Sequence, residues 1–317
     1  MQLFDAQATL AYAINQASYI EPIVYATQYP DIQYPALIPV DTSANEWARS
    51  VTYFSTDITG RAGWFHANAK DIHIADIERS KNEVGIEMAD IGYRWNVEEL
   101  GVAMQVPGTN LSADRALAAY RAYEEFVDDS LLAGKGEKNF SGFINYPGIT
   151  VSFASEQAGH TTWDQKDADG MIDDVNNAIT GVYTESLTVE MADTILLPVA
   201  AMTKAATKRI PNTMQSVLDY LITKNVYTQV TGRPLTIRAV RGLETAGQGG
   251  SGRMIAYRRD PQVLKAHIPM THRFLPVWQT GPLVYDVPGI FRLGGLEIRR
   301  PKAVRYVDGI WTVDQAS

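Results

Sequence analysis

Apolar and polar residues alternate in two stretches near the front of the chain, Arg49-Ser-Val-Thr-Tyr-Phe54 and Ile72-His-Ile-Ala-Asp-Ile77. Between them lies a tip softened by Gly60, Ala62 and Gly63. Period-two alternation on both sides of a glycine-rich turn predicts two strands joined in a long hairpin. Trp64 and Phe65 stand at its tip, where a hairpin has no core of its own to cover them. Further on, the pattern changes to a spacing of three and four. Leu117, Tyr120, Ala122 or Tyr123, Phe126, Val127 and Leu131 predict a helix from Ser112 to Leu132, with Ser112 as N-cap, Asp114 in the first turn, and Gly134 and Gly136 as the stop. At ~1.5 Å per residue that helix is about 30 Å long.

Ahead of the hairpin, residues 1–45 read as an arm. A short amphipathic piece (Leu3, Ala6, Leu10, Ile14) gives way to Pro22, Pro30, Pro35 and Pro39 with Tyr19, Tyr25, Tyr29 and Tyr34 among them. Prolines at that density disfavour a helix and predict an extended path whose tyrosines need an outside surface. Residues 83–106, including Trp95 to Ala103, read as mixed helix or strand with loop. Beyond Phe143–Ile149 the pattern becomes α/β. Met171, Ile172, Val175, Ala178 and Ile179 predict a helix, Thr194–Pro198 a buried strand, and Asn212 or Thr213 the cap of a helix through Met214, Val217, Leu218 and Leu221. Leu235–Val240 and Arg253–Tyr257 read as strands joined by a glycine-rich hairpin loop, and the last fifty or so residues alternate as β (Leu296, Ile298; Val304, Tyr306).

Composition narrows the field. At 317 residues, with 45% apolar and 20% charged positions, the chain is long enough for a well-buried core or two subdomains. No apolar run is long enough to span a membrane, and no membrane partner is expected. The first 48 residues hold no Lys or Arg, so neither a secretory signal nor a mitochondrial presequence is expected. The absence of cysteine removes disulfides, thiolate metal sites and cysteine nucleophiles, and fits a reducing cytoplasm. The net charge of −8 is unevenly spread: residues 1–200 carry 11 Lys and Arg against 29 Asp and Glu, and residues 201–317 carry 17 against 7. A solvated surface accounts for this, as does an acidic region of one copy meeting the basic region of another.

Three strings resemble chemistry without meeting its requirements. Gly247-Gln-Gly-Gly-Ser-Gly252 matches the dinucleotide fingerprint by letter, but a strand follows where a helix N-terminus must hold the pyrophosphate. Asp164–Asp174 looks like a calcium loop, yet placing Gly170 at its sixth position puts Gln165 and Asn176 at the two ends, removing both end carboxylates; a solvated acidic turn before a helix is the expectation. His66, His73, His160, His267 and His272 show no metal-ligand spacing, and no nucleophile elbow or phosphate loop is present. No catalytic residue, cofactor or metal is assigned.

The strings DTILLP (Asp193–Pro198), KRIPNTMQSVLDYL (Lys208–Leu221), MIAYRRDP (Met254–Pro261), HIPM (His267–Met270) and FRLGGLEIRRPKAVRYVDGI (Phe291–Ile310) resemble a family of tailed-phage major capsid proteins. NVEELGVA (Asn96–Ala103) and GFINYPGI (Gly142–Ile149) add to the likeness. The resemblance implies the Hong Kong 97-like α+β fold, shared with encapsulin cages. It implies an N-terminal arm (1–45), an extended loop (46–80), a peripheral domain with a spine helix (81–149), an axial domain (150–262) and a return to the peripheral domain (263–317). It also implies hexamers and pentamers closing around double-stranded DNA, with scaffolding, portal and decoration proteins as further partners, in a virion assembled in host cytoplasm. Within it Trp64, Phe65, Tyr25, Tyr29 and Tyr34 are the subunit-interface candidates. Some family members cross-link this loop through a Lys–Asn isopeptide; Lys70 and Asn68 are present, but no receiving Asn and Glu are identified, so that chemistry is not carried over. Many relatives carry a removable N-terminal scaffolding segment, expected here to be a separate protein or already absent. An encapsulin-like shell and a small-molecule α/β enzyme seated in residues 150–262 remain as alternatives.

Overall fold

Thr194–Leu197 is apolar at nearly every position, as a strand must be when helices or loops cover both faces of its sheet. In the computed structural model, which describes residues 31–64, 74–99 and 111–312, it is an inner strand of five. The order is Thr236–Ala239, Thr194–Leu197, Gly252–Tyr257, Val304–Trp311 and Thr150–Phe153. The outer pairs at each side are parallel and the two inner pairings antiparallel.

Alternate side chains of these strands enter two separate cores, as the period of two requires. Ile195, Leu197, Met254, Ala256 and Val307 join Met171, Val175, Ile179 and Val182 of the helix Ala168–Glu185. Leu196, Ile255, Tyr257, Val304 and Tyr306 join Tyr123, Val127 and Leu131 of the spine helix Leu111–Leu132. The spine helix therefore lies where its spacing predicts, and its buried stripe is Ala119, Tyr123, Val127 and Leu131.

Four local expectations are corrected. The glycine-rich string does not close a hairpin, because Thr194–Leu197 lies between the two strands that it connects. The last strand, Val304–Trp311, lies in this same five-stranded sheet beside strands of 150–262, while its Val304 and Tyr306 enter the core of the spine helix. The helix expected from Asn212 starts at Val217: Asn212 sits in the left-handed region at φ 61° as a turn residue, and Ser216 is the cap, its hydroxyl accepting from Asp219 N at 3.2 Å. Within the arm, Tyr34–Leu37 is a helical turn despite Pro35, which sits at the start where its missing N–H is no loss.

Tyr34 is corrected as well. Its ring is buried in the chain's own core. The buried Asp128 of the spine helix accepts the backbone N–H groups of Gln33 and Tyr34 at 3.0 and 2.8 Å, and the Tyr34 hydroxyl donates to Glu124 at 3.1 Å. A carboxylate at the start of a helical turn satisfies donors that would otherwise be orphaned.

The arm is then stitched to the body by a strand. Val40–Asp41 runs parallel to Leu264–His267, which pairs antiparallel with Leu296–Ile298. Four charged side chains and a histidine meet there. Asp41 takes Lys265, and buried Glu297 takes His267 Nε2 and the Arg299 guanidinium, the latter at 2.6 Å. Burial alone pushes both carboxyls up, but the Lys265 and Ser43 hydrogen bonds to Asp41, and the His267 and Arg299 hydrogen bonds to Glu297, bring both below the ordinary carboxylate range.

Because both folded-state values are depressed, the joint's contribution is complete above the unfolded carboxyl range of about 4 and is lost as acid protonates the folded groups. Urea unfolding between pH 3 and 7 should show stability falling below about pH 4. Asp41→Asn and Glu297→Gln should each flatten that acid limb; an unchanged limb in both variants contradicts the assignment.

Candidate assembly surfaces

The hairpin is present and longer than the alternation suggests. Ser50–Thr59 pairs antiparallel with Asp76–Gly85 through ten registered positions, Ser50 opposite Gly85 and Thr59 opposite Asp76. The expected second strand, Ile72–Ile77, overlaps the observed one only at Asp76 and Ile77. The polar run Glu78–Asn82 continues the strand because this sheet has two strands only, and a ribbon with water on both faces needs no apolar alternation. At its root Ile86 N donates to Arg49 O at 2.9 Å, and the Arg299 guanidinium lies 5.0 Å over the Tyr53 ring.

Further out, nothing among the described residues covers the apolar side chains. Trp64 is 98% exposed, and Phe54, Ile58 and Ile77 are 69%, 73% and 56% exposed. Large apolar side chains on one exposed element mark an interaction surface more than scattered ones do. Phe65, Tyr25, Tyr29, Lys70 and Asn68 lie outside the described residues. The structure thus places Trp64 at an open surface and Tyr34 in the core.

Two further surfaces escaped the sequence reading. Leu117 and Tyr120 fit the spacing of the spine helix but are 68% and 49% exposed, although Tyr120 shares the stripe of buried Val127 and its ring approaches Tyr123 and His272. A three-stranded sheet, Trp278–Gly281, Val284–Val287 and Tyr93–Asn96, presents Trp278 and Leu283 to solvent. Arg94 and Asp286 join two of its strands by paired hydrogen bonds of 2.6 and 2.9 Å, and Trp95 stacks on Tyr285 at 4.5 Å. The turn signal Gly281-Pro282 between Trp278 and Leu283 could have revealed this hairpin.

The strings that tempted a chemical reading have structural roles. Asp174, expected in a solvated turn, is buried with Lys166. It accepts Ser155 N and Oγ on one oxygen, and Trp163 Nε1 and Lys166 Nζ (2.5 Å) on the other. Four donors and a full counter-charge make it a closed structural pair. In the glycine-rich loop, a Cβ at Gly247 would meet Ser251 O at 2.7 Å and Asp308 Cγ at 3.1 Å. The buried Asp308 holds the Arg253 guanidinium at 2.7 and 2.8 Å and takes Gln248 N at 2.9 Å. This loop closes over its own ion pair instead of cradling a phosphate.

His267 serves the arm joint. His272 Nε2 lies 2.9 Å from Ile91 O among Tyr123, Phe274 and Phe291. Among the described residues no three His, Cys, Asp or Glu side chains are grouped to hold a metal ion, and no helix is long and apolar enough to cross a membrane.

This architecture matches known proteins. The family described as major capsid protein matches residues 60–310. Among solved structures, the capsid of Myoviridae phage XM1 superposes with a TM-score of 0.80 at 19% identity, covering 93% of this chain and 98% of that one. A chain of Microbacterium phage Oxtober96 gives 0.63 at 11% identity (96% and 98% covered), and the capsid of a native GTA particle gives 0.60 at 9% (92% and 95%). No curated protein matches the sequence.

If Asp164–Asp174 is a structural loop, excess chelator should leave the thermal midpoint unchanged, while Lys166→Met, which strands the Asp174 charge, should cost about 3–5 kcal/mol in urea unfolding. A calcium-dependent rise of several degrees that Asp167→Ala abolishes would reverse this conclusion.

Proposed function

The chain belongs to the major capsid protein family and is a shell-forming subunit with the Hong Kong 97-like fold; from this we propose that it builds an icosahedral phage head of hexamers and pentamers around double-stranded DNA. The observation that carries the reading within this chain is the uncovered apolar hairpin with Trp64 at its end. A subunit that must fit both five-fold and six-fold rings benefits from joining its neighbours through extended elements that adapt in angle. Burying the Trp64 ring against a neighbour would remove roughly 200 Å². That is worth up to about 5 kcal/mol, less several for ordering the ribbon.

Scaffolding, portal and decoration proteins would be its partners during assembly in host cytoplasm, and the enclosed DNA would be met through its phosphates without sequence readout. An encapsulin-like shell would have the same subunit contacts but no DNA inside. The role we propose is structural, with no reaction assigned to residues 150–262.

The purified chain should form capsomers or closed shells by sedimentation and electron microscopy, and particles made in infected cells should contain DNA. Trp64→Ala with Phe65→Ala should leave the subunit's circular dichroism melt unchanged. The same variant should make assembly fail or become strongly salt-sensitive as the Debye length shrinks from about 10 Å at 0.1 M to about 3 Å at 1 M. A chain that stays monomeric at high concentration, or a double variant that unfolds the subunit yet assembles whenever folded, contradicts the proposal.

A further inference from the structure

The cationic excess of residues 201–317, with 17 Lys and Arg against 7 Asp and Glu, has a place in the fold. Exposed arginines lie around the helical turn Tyr34–Leu37. The Arg259 guanidinium donates to Pro35 O at 3.0 Å. The Arg241 guanidinium reaches Asp128 at 3.4 Å, the same carboxylate that holds the Gln33 and Tyr34 N–H groups. Arg238 stands on the edge strand Thr236–Ala239, whose Ala239 O accepts the Gln33 side chain at 3.4 Å. Burial pushes the Tyr257 hydroxyl up, and Arg259 and Arg238 both act against that rise through their charge. That hydroxyl donates to Leu37 O at 2.8 Å, so both guanidiniums are felt at the same turn. The band continues to Arg258, whose N–H donates to Ala303 O at 3.2 Å beside Lys302. Buried Glu190 takes both Arg258 and Arg300.

The carboxylates of this band are turned inward. Asp128 and Glu190 are buried, Asp193 accepts Arg259 N at 2.8 Å, and Asp260 accepts Gln262 N at 2.8 Å. The cations stand outside them. Arg238, Arg241, Arg259, Arg300 and Lys302 are exposed, and among the described residues Arg238 and Lys302 pair with no carboxylate. No large apolar side chain is exposed in 32–39, 236–244, 258–262 or 299–303. A protein neighbour is gripped through a centre depleted of charge, which this band lacks. Nucleic acid is gripped through a polar, strongly positive surface. Arginine suits phosphate because its planar fork keeps donors available after one is used within the protein.

Resting on the shell-subunit reading above, we propose that the band of Arg238, Arg241, Arg258, Arg259, Arg300 and Lys302 is the surface that meets the phosphates of the enclosed DNA. The turn Tyr34–Leu37 then lies on the inner side of the shell. Residues 1–200 carry 29 Asp and Glu against 11 Lys and Arg, so a polyanion meets this band on better terms than the subunit as a whole. The contact reads no sequence, as a container for any stretch of a genome requires.

The test uses the full chain below the concentration at which particles form. The probe is a short mixed-sequence DNA duplex, and fluorescence anisotropy gives its affinity across a salt series. Arg238→Gln with Lys302→Gln removes two cations that hold nothing in the fold. It should lower the slope of log affinity against log salt by about 1.8, and weaken binding at least about tenfold at ~0.1 M salt. Arg238→Lys with Lys302→Arg keeps the charge and should bind within about twofold of wild type. Arg79→Gln with Lys81→Gln removes the same charge from the hairpin and should leave the slope unchanged. Circular dichroism melting is the folding control for each variant. An unchanged slope in the Arg238 and Lys302 glutamine variant overturns the assignment, as does an equal loss in the hairpin variant, which would report net charge alone. Loss of particle formation with DNA binding intact would give the band to a neighbouring protein and overturn it too. A wild type that forms particles but binds no duplex removes the DNA contact, whereas a wild type that never forms particles refutes the shell reading itself.

Discussion

A two-stranded ribbon has no interior. Whatever apolar side chains it carries are uncovered until another surface arrives, and that constraint organises this protein. The hairpin Ser50–Thr59 and Asp76–Gly85 bears Phe54, Ile58 and Ile77 in the open, while the five-stranded sheet behind it is sealed on both faces by two cores. The body buries its own apolar side chains; in the function proposed above, the ribbon is finished by assembly. A family whose members form capsid shells makes sense of a subunit left incomplete in this way.

A ribbon that projects without a core of its own has to be held firmly at its root. The Val40–Asp41 strand fixes the chain shortly before the hairpin, through Lys265, His267, Glu297 and Arg299. Glu46 adds a surface pair with Arg273 at 3.1 Å, and its carbonyl takes Arg292 at 3.0 Å. After the hairpin, Glu87–Asp90 is taken up by Gly289–Leu293 in a second small sheet. Both legs of the ribbon are thereby tied to strands from the far end of the sequence. Charged groups concentrate at these ties, which agrees with their role in fixing position more than in adding net stability.

Local patterns in the sequence carried the spine helix, the Ala168–Glu185 helix, the Thr194–Leu197 strand and the existence of the hairpin, because each rests on the spacing of side chains within one element. What failed depended on distant partners. Nothing local tells that Thr194–Leu197 inserts between the strands flanking the glycine-rich loop, or that Val304–Trp311 joins the same sheet. Tyr34 belonged by composition to a proline-tyrosine ribbon, and its inward turn rests on partners far along the chain, Asp128 and Glu124 among them. The Lys166–Asp174 pair sat in a string that suggested a cation, and its burial depends on Trp163 and Ser155 closing around it. Of the interface candidates, Trp64 was legible as a tip residue. Phe54 and Ile77 were visible as alternation, but their exposure was not, since alternation alone reads as a half-buried strand; Ile58 lay beyond the stretch read as a strand.

Hydrogen exchange of the backbone amides in Ser50–Thr59 and Asp76–Gly85, compared between the isolated subunit and the assembled particle, tests the central claim most directly. The account predicts that these amides exchange readily in the subunit and become strongly protected on assembly, while the inner strands Thr194–Leu197 and Gly252–Tyr257 are protected equally in both. Hairpin amides already protected in the isolated subunit, or unchanged on assembly, would show that the ribbon is complete by itself.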